Sequence, residues 1–297
     1  MAGLSSLGET GWEIDAWWAD STGEPLQCER FGAAPGAAPS ANRGAIQRAL
    51  NAQGAVTLTR PGVYEINDTL LIGDDTSLFL SPGVEIFLSD GTNKPMLMCR
   101  SDFLAGTQVT IAWSAGPIAT VTWNAHGLVE SDYVWIRGAN QTEFNNVFRV
   151  GRVLTVNSFE IVMNLTPSTT ATGTILAVRC TRNWSVKGGV WNGNRGANGV
   201  VGAGYTYNIL FSIYAAANFH ISDVTFKDFR RGITTGAVAD YVVERCTYIG
   251  NEQFPCEGHK TYGPVNNGTL RNLVIRSTDD GMSIQPKEAP AFSWTGI

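Results

Sequence analysis

Two adjacent carboxyl groups stand out in the segment Ser277–Gly281, which reads Ser-Thr-Asp-Asp-Gly. Carboxyl groups held close together can serve as a general acid and a water-activating base, which is the chemistry of glycosidic bond cleavage. Neighbouring residues of a strand point to opposite faces, so at most one of Asp279 and Asp280 faces a given groove unless the chain bends between them. We therefore expect a partner group from another part of the chain.

Candidates for this partner lie between Asn251 and Gly263, a segment whose Pro and Gly content predicts a loop. Loops on a rigid scaffold often carry functional side chains. Glu257 or His259 could act as a general base, while Lys260 or Arg276 could neutralise an acidic sugar, as a lyase requires. The predicted catalytic residues are Asp279, Asp280, Glu257 and His259. The predicted substrate-binding residues are Lys260, Arg276, Glu252, Lys227, Arg230 and Trp135.

Each of these assignments has a structural alternative. Asp-Asp-Gly is also an ordinary turn sequence, and a loop with Glu, His and Lys is often only solvated. Another polar cluster follows Phe226, and it could form a charged corner of Lys227, Asp228, Arg230 and Arg231. Trp135, like Trp113 and Trp123, alternates with polar residues, which favours packing in a core over stacking on sugar rings.

The elements that must position these residues are almost all strands. Short β-branched and aromatic runs, broken by Asn, Asp and Gly, predict an all-β chain. The one predicted helix runs from Ala41 to Ala52, with Ser40 as its N-cap. The second half repeats an apolar pattern Φ-x-x-Φ-x-Φ, with an Asn or Asp shortly before each copy. The copies start at Val186, Ile221, Val243 and Leu270. This period predicts stacked coils, and an antiparallel sandwich is the alternative.

The opening of the chain resembles a known family. Its motifs are Ala45-Ile46-Gln47, Pro61-Gly62-Val63-Tyr64 and Pro82-Gly83-Val84-Glu85-Ile86. They resemble the first coils of pectate-lyase-type right-handed β-helices, above all those of bacteriophage tail spikes, where an Ala-Ile-Gln helix caps the solenoid. Asp279-Asp280 resembles the paired acids of polygalacturonases and spike depolymerases. The family's Gly-His-Gly and Arg-x-Lys motifs do not follow here. The fold implied is a right-handed parallel β-helix with an N-terminal capping helix.

The coil pattern stops near Met98 and resumes near Val178, and the alternating strands between them predict an inserted small β-domain. The predicted division is an N-terminal docking segment (1–30), the start of the β-helix with its capping helix (31–100), the inserted β-domain (101–178) and continuing coils (179–297). Trp12, Trp17 and Trp18 predict that the first segment docks on a neighbouring subunit or tail protein. The uncapped final coil predicts a longer polypeptide or a covering trimer partner.

Composition excludes several classes of partner. The 297 residues carry 21 Lys plus Arg against 26 Asp plus Glu. The chain therefore lacks the excess of positive charge that binding of a nucleic-acid backbone requires. No apolar stretch is long enough for membrane insertion, and the first residues lack a secretion signal. The five cysteines lack metal-ligand spacing, which predicts buried free thiols. Neither a metal nor a cofactor is predicted.

The resemblance implies a phage tail spike, made in the host cytoplasm and carried on the virion tail. Such a protein binds a bacterial surface polysaccharide and depolymerises it as a glycoside hydrolase or a lyase. The implied partners are other phage tail or baseplate proteins and two further copies of the chain in a homotrimer. The alternative is a non-catalytic adaptor or receptor-binding virion protein on the same scaffold.

Overall fold

The computed structural model describes residues 24–100, 105–163, 165–198, 208–253 and 255–285. Within these ranges the chain forms one α-helix and 21 strands. Trp12, Trp17 and Trp18, on which the predicted docking segment depends, lie outside the described residues, and so does the final stretch 286–297.

Parallel strands stack in three ladders, here called ladders A, B and C. Ladder A contains β1 (Leu26–Gln27), β2 (Gly54–Leu58) and parts of β5 (Thr76–Leu88), β14 (Thr181–Asn192), β15 (Ile209–Ser222), β17 (Arg231–Glu244) and β19 (Glu257–Arg271). Ladder B contains β3 (Gly62–Ile66), the ends of β5 and β14, β16 (Thr225–Lys227), β18 (Thr247–Ile249) and β20 (Val274–Arg276). Ladder C contains β4 (Leu70–Ile72), β6 (Leu97–Cys99), the first halves of β15, β17 and β19, and β21 (Met282–Gln285).

Each coil therefore passes through ladders A, B and C in turn, and the prediction of stacked coils is confirmed. The repeated apolar pattern supplies the interior. Val186, Ile221, Val243 and Leu270 are in register in ladder A. In ladder B the rings of Phe226 and Tyr248 stack with their centroids 4.8 Å apart. Burial of these rows provides the main stabilisation of the solenoid.

Short polar residues make the corner that leads from ladder C to ladder A. Asn183, Asn218, Asp240 and Asn267 all have a left-handed backbone, with φ between 49 and 56°. Asn and Asp tolerate this conformation because their side chains bond locally. Asn218 Nδ2 donates to Asn183 Oδ1 at 2.6 Å, and Asn267 Nδ2 donates to Asp240 Oδ1 at 2.8 Å. This is why an Asn or Asp precedes each copy of the repeat.

Helix α1 (Pro39–Asn51) lies across the open edge of the first coil. Gln47 Nε2 donates to the Leu71 carbonyl at 2.9 Å, and the Leu71 amide donates to Gln47 Oε1 at 2.7 Å, so one side chain satisfies both backbone groups of an edge strand. The helix begins earlier than predicted, with Ala38 rather than Ser40 at the N-cap. Pro39 takes the first helical position because its fixed φ suits that position and its missing amide proton has no role there.

The chain between β6 and β14 forms a separate closed antiparallel sheet, here called the inserted sheet. Its strands are β7 (Thr107–Gln108), β8 (Thr110–Ala112), β9 (Ile118–Thr122), β10 (Tyr133–Ala139), β11 (Val147–Thr155), β12 (Ser158–Val162) and β13 (Gly173–Arg179). β7 pairs with β13 and β8 pairs with β9, so the nearly continuous strand 107–112 closes the sheet on itself. The domain boundaries at 100/101 and 178/179 remain a prediction.

The inserted sheet rests on the corner between ladders C and A. Val147, Val178 and Cys180 pack against alanines of that corner, with Tyr133 and Trp135 at the margin. The Tyr133 hydroxyl donates to Asp240 Oδ2 at 2.5 Å. Burial and the neighbouring Asp240 raise the pKa of Tyr133, so the phenol stays protonated and keeps its role as a donor. The sheet is thus fixed to the coils by both apolar and polar contacts.

We expect Tyr133→Phe to lower the free energy of unfolding by about 1–2 kcal/mol, because Asp240 loses a donor at a partly buried interface. Urea unfolding of the wild type and the variant measures the change. The same substitution made in an Asp240→Asn background should cost clearly less. Equal costs in the two backgrounds would show that this hydrogen bond does not hold the inserted sheet.

Candidate active site on ladder C

Acids from two successive coils meet at the start of ladder C. His259 of β19 is in register with Met282 of β21. The Gly258 amide donates to the Asp280 carbonyl at 3.1 Å, so the turn that carries Asp279 and Asp280 packs against the start of β19, which carries Glu257. Neighbouring backbones of a sheet lie about 4.8 Å apart. The backbones that carry Glu257 and the two aspartates therefore belong to neighbouring coils.

A row of glycines directly follows Arg231, Glu257 and Asp280 and lets the coils approach closely. A Cβ atom on Gly258 would lie 2.5 Å from the carbonyl oxygen of Gly281. One on Gly232 would lie 2.7 Å from the carbonyl oxygen of Gly258 and 2.5 Å from the Tyr248 ring. Real side chains do not reach such distances without moving the backbone or the ring. The glycines therefore set the distance between the strands that carry the acids.

Glu257 is held by two cations. Lys260 Nζ donates to its Oε1 at 2.7 Å, and Arg231 Nε donates to its Oε2. The side chains of Arg231, Glu257 and Lys260 are 5%, 13% and 8% exposed. Burial alone raises the pKa of Glu257, but the hydrogen bond from Lys260 and the charge of Arg231 outweigh it, and the pKa lies below its ordinary value. Glu257 is a carboxylate at neutral pH.

Asp279 and Asp280 are both exposed in the turn between β20 and β21. The Asp279 amide donates to the Cys256 carbonyl at 3.2 Å, which ties the turn to the coil before it. Because the chain bends here, the alternation of a strand does not assign the two acids to opposite faces. Both remain candidates for the partner of Glu257.

The predicted loop over Asn251 to Gly263 is wrong from Glu257 onward, because β19 begins there. Its parallel pairing with β17 supplies a backbone partner for nearly every residue, which local Pro and Gly content does not reveal. Glu257, His259 and Lys260 thus project from a strand. Alternation places His259 and Lys260 on opposite faces. Glu257, the first residue of the strand, turns towards Lys260, whose Nζ donates to its Oε1.

His259 points into the core, a position that does not favour its predicted role as a catalytic base. It is 1% exposed and in register with the core residue Ile233. Its Nε2 lies 3.5 Å from the Thr235 hydroxyl, at the limit of a hydrogen bond. Burial lowers the pKa of His259 to about 4. A saccharide on the outer surface cannot reach this ring.

This burial predicts acid lability. The unfolded chain takes up a proton at His259 below its ordinary pKa of 6.5, whereas the folded chain does so only near 4. The contribution to stability is therefore complete above pH 6.5 and is lost as the pH falls towards 4. We expect the free energy of unfolding to drop by roughly 2 kcal/mol from this group between pH 6.5 and 5. Urea unfolding at several pH values measures this, and His259→Gln should flatten the curve. An unchanged slope in the variant would contradict it.

The other predicted site residues lie at varying distances from the acids. The Arg230 carbonyl accepts the Glu257 amide at 2.7 Å, and Glu252 is exposed in the turn before β19. Lys227 and Arg276 are exposed on the outer row of ladder B, with Ile249 between them in register. Trp135 is not with them, since it belongs to the inserted sheet and packs beside the corner alanines. The Arg137 guanidinium stacks over its ring at 4.6 Å.

Sequence reasoning missed Arg231 and Gly258 as functional positions. Arg231 belonged to a predicted charged corner, but it is the first residue of β17 and is in register with Glu257. The repeat could have predicted that Arg231 lies beside Glu257, because Arg231, Glu257 and Asp280 follow one another at intervals close to the length of one coil. Such intervals place residues in one row of a solenoid.

In the described parts of the chain, no group of His, Cys, Asp and Glu is placed to hold a metal ion. No helix in these parts combines the length and apolar character that crossing a bilayer requires. All five cysteines are buried.

No protein-family description matches the chain, and no curated protein matches its sequence. Solved structures do match. The tailspike gp61 of Pseudomonas phage phi297 superposes with a TM-score of 0.61 at 14% identity, covering 90% of this chain and 49% of the tailspike. The family 28 exopolygalacturonase of Yersinia enterocolitica gives 0.52 at 12% identity, covering 88% and 45%.

A tailspike of Acinetobacter baumannii bacteriophage AP22, solved with a capsular saccharide of its host, gives a TM-score of 0.50 at 12% identity and covers 88% of this chain and 50% of the tailspike. The chain thus spans about half the length of the tailspikes that it matches. At this level of identity the likeness establishes the fold. The predicted fold class is confirmed, and the chain is an all-β, right-handed parallel β-helix.

Proposed function

We propose that this protein binds a bacterial surface polysaccharide on the outer side of ladder C and cleaves it between Glu257 and the acids of the next coil. The observation that carries the proposal is the contact between the start of β19, which carries Glu257, and the turn of the next coil, which carries Asp279 and Asp280. Glycosidic cleavage uses two carboxyl groups, one charged and one able to donate a proton. Glu257 supplies the charged group, and Asp280 or Asp279 supplies the donor.

The fold supports this assignment by analogy. Tailspikes and a polygalacturonase share the β-helix, and one of those tailspikes is known with a capsular saccharide. A β-helix suits a polymer because its ladders present rows of side chains at one regular spacing. The chemistry itself rests on the residues of this chain.

The test is incubation of the protein with a panel of host capsular and lipopolysaccharide glycans. Reducing ends report hydrolysis, and absorbance of unsaturated uronic acids reports β-elimination. A rise in reducing ends without absorbance supports the proposed hydrolase, and a rise in both identifies a lyase. Binding without either signal removes the cleavage proposal.

A non-catalytic receptor-binding protein is the second candidate. One observation favours it, because both oxygens of Glu257 are already bonded within the fold. Under this alternative the bonded carboxylate joins β17 to β19 and takes no part in chemistry. Under this alternative, replacing Glu257 by Gln lowers stability and leaves glycan binding intact.

We further propose that the protein is carried on a phage tail as a homotrimer, joined to other tail or baseplate proteins and made in the host cytoplasm. The resemblance to tail spikes in the first coils supports this. Sedimentation equilibrium should give three times the mass of one chain. A monomer at micromolar concentration would contradict the trimer.

A further inference from the structure

Trp135 and Arg137 form a stacked pair on the outer face of the inserted sheet. Both belong to β10, and they share a face because the residues that alternate with them, Val134 and Ile136, point into the core of that sheet. The Arg137 guanidinium lies 4.6 Å from the centre of the Trp135 ring. This cation–π contact restricts the positions that the guanidinium can take.

Within the described ranges of the chain, no carboxylate forms an ion pair with Arg137. Its Nη2 donates to the Ala105 carbonyl at 3.0 Å, and its Nε is buried without a hydrogen-bond partner. Burial lowers the pKa of Arg137, and no charged group among the described residues offsets this effect. A half-buried cation in this state carries a cost of desolvation that a bound anion offsets.

Other arginines of the inserted sheet are paired with acids. Arg152 lies 2.9 Å from Glu160 on the neighbouring strand, and Arg179 lies 3.1 Å from Asp74 at the base of the sheet. Arg137 differs from these two in leaving its charge to be balanced by something outside the described chain. Its fixed plane and its unused N–H donors therefore indicate a site for an anion.

The stacked pair is linked to the strand on which the candidate active site begins. Trp135 is in register with Val147 of β11, and Asn266 Nδ2 of β19 donates to the Val147 carbonyl at 2.9 Å. Glu257 is the first residue of this same strand β19. Ligand sites are common at such junctions between two structural modules. A glycan of several sugars that follows β19 along the solenoid also reaches the inserted sheet.

We propose that Arg137, held in place by Trp135, binds the carboxylate of an acidic sugar in the polysaccharide. A guanidinium matches a planar carboxylate because two of its N–H groups donate to the two oxygens in one plane. The exposed part of the Trp135 ring offers an apolar surface to the same sugar. The inference rests on the proposed function for its ligand, which it narrows to an acidic glycan, and it gives the inserted sheet a part in binding.

The first test compares glycans in two chemical forms. Alginate, a polymer of uronic acids, and each acidic glycan of the host panel are measured by surface plasmon resonance before and after reduction of their carboxyl groups to alcohols. The wild type should bind the native form of the recognised glycan at least about tenfold more tightly than the reduced form, because a charge-assisted hydrogen bond is lost on reduction. Arg137→Met should remove this preference and leave the affinity for the reduced form unchanged.

Further variants separate binding from a purely structural role. Arg137→Lys keeps the charge and loses the planar fork, so it should recover only part of the preference. Arg137→Gln replaces the Met variant if that variant does not fold. Arg152→Met is the matched control, since Arg152 and Glu160 form an exposed ion pair on the inserted sheet, and it should keep the full preference. If Arg137 only covers the Trp135 ring, Arg137→Met lowers the melting temperature and keeps the preference, which overturns the inference.

The second test does not depend on the identity of the natural glycan. Sodium glucuronate is titrated into isotope-labelled protein, and the Nε–H signal of Arg137 in the NMR spectrum is assigned by its loss in Arg137→Met. This signal should shift and reach saturation with glucuronate and should stay in place with glucose or sodium chloride. An equal shift with chloride would show a general effect of salt and would overturn the inference.

The outcomes distinguish this inference from the proposed function. If the preference disappears in Arg137→Met but no glycan is cleaved, the cleavage proposal fails and the anion site stands. If a glycan is cleaved but the wild type shows no preference, or Arg137→Met keeps it, the inference is overturned and the cleavage proposal stands. If no glycan of the panel binds, the glucuronate titration decides, and an unmoved Arg137 signal overturns the inference.

Discussion

Asp280→Asn and Glu257→Gln are each expected to lower the rate of glycan cleavage at least about a hundredfold, the usual cost of losing a positioned acid or base. The turn that carries Asp280 packs against the start of β19, where Glu257 lies, so each substitution removes one half of the proposed pair. Glycan binding should change little, because an amide keeps the shape of the carboxyl group. The measurements are reducing-end formation at saturating glycan and affinity by surface plasmon resonance.

Asp279→Asn and Glu160→Gln complete this experiment. Asp279 shares the turn with Asp280, so its effect decides which of the two acids is the partner of Glu257. Glu160 belongs to an exposed ion pair on the inserted sheet, and its replacement should leave the rate unchanged. Full activity in the variants of Glu257, Asp279 and Asp280 would remove the proposed site.

Gly258→Ala is expected to destabilise the protein by about 3 kcal/mol and to reduce cleavage more than tenfold. The added methyl group would lie 2.5 Å from the carbonyl oxygen of Gly281, a backbone atom that cannot rotate away. The coils that carry Glu257 and Asp280 must then separate at the point where the acids meet. Urea unfolding reports the stability, and the glycan assay at a temperature where the variant is folded reports the rate.

Gly196→Ala is the matched control for this substitution. A Cβ at Gly196 meets no atom within 4 Å, so the variant should match the wild type in stability and rate. If Gly258→Ala also matched the wild type, the close contact between the coils would be softer than the structure indicates. The glycine row would then have no part in spacing the acids.

The fold could be predicted from the sequence because each coil of a solenoid repeats the same pattern of residue types. The Asn or Asp at the corner and the three apolar positions after it return in the four copies of the second half, since each coil must make the same turn and fill the same interior. The helix Pro39–Asn51 was also visible from its local pattern. The first residue of this helix could not be predicted in the same way. Pro39 favours the first helical position and Ser40 favours the N-cap, and the two preferences place the start of the helix at different residues.

The candidate site was only partly readable, since its geometry depends on register between coils. Asp279, Asp280 and Glu257 were found by residue type, but nothing local shows that Glu257 is bonded by Arg231 from the preceding coil. The inward direction of His259 was not readable, because it is fixed by the pairing of β19 with β17. A histidine beside charged residues in the sequence suggested an exposed base, yet alternation along the strand turns it inward.

The attachment of the inserted sheet has a consequence for how such a scaffold changes over time. The chain leaves the solenoid at Cys99 and rejoins it at Thr181, whereas the corresponding corner one coil earlier, residues 73–75, needs only three residues. The stack of coils does not depend on what is carried at this corner. A different module could be exchanged here by recombination without rebuilding the solenoid, provided that it supplies a donor for Asp240 and an apolar cover for the alanines.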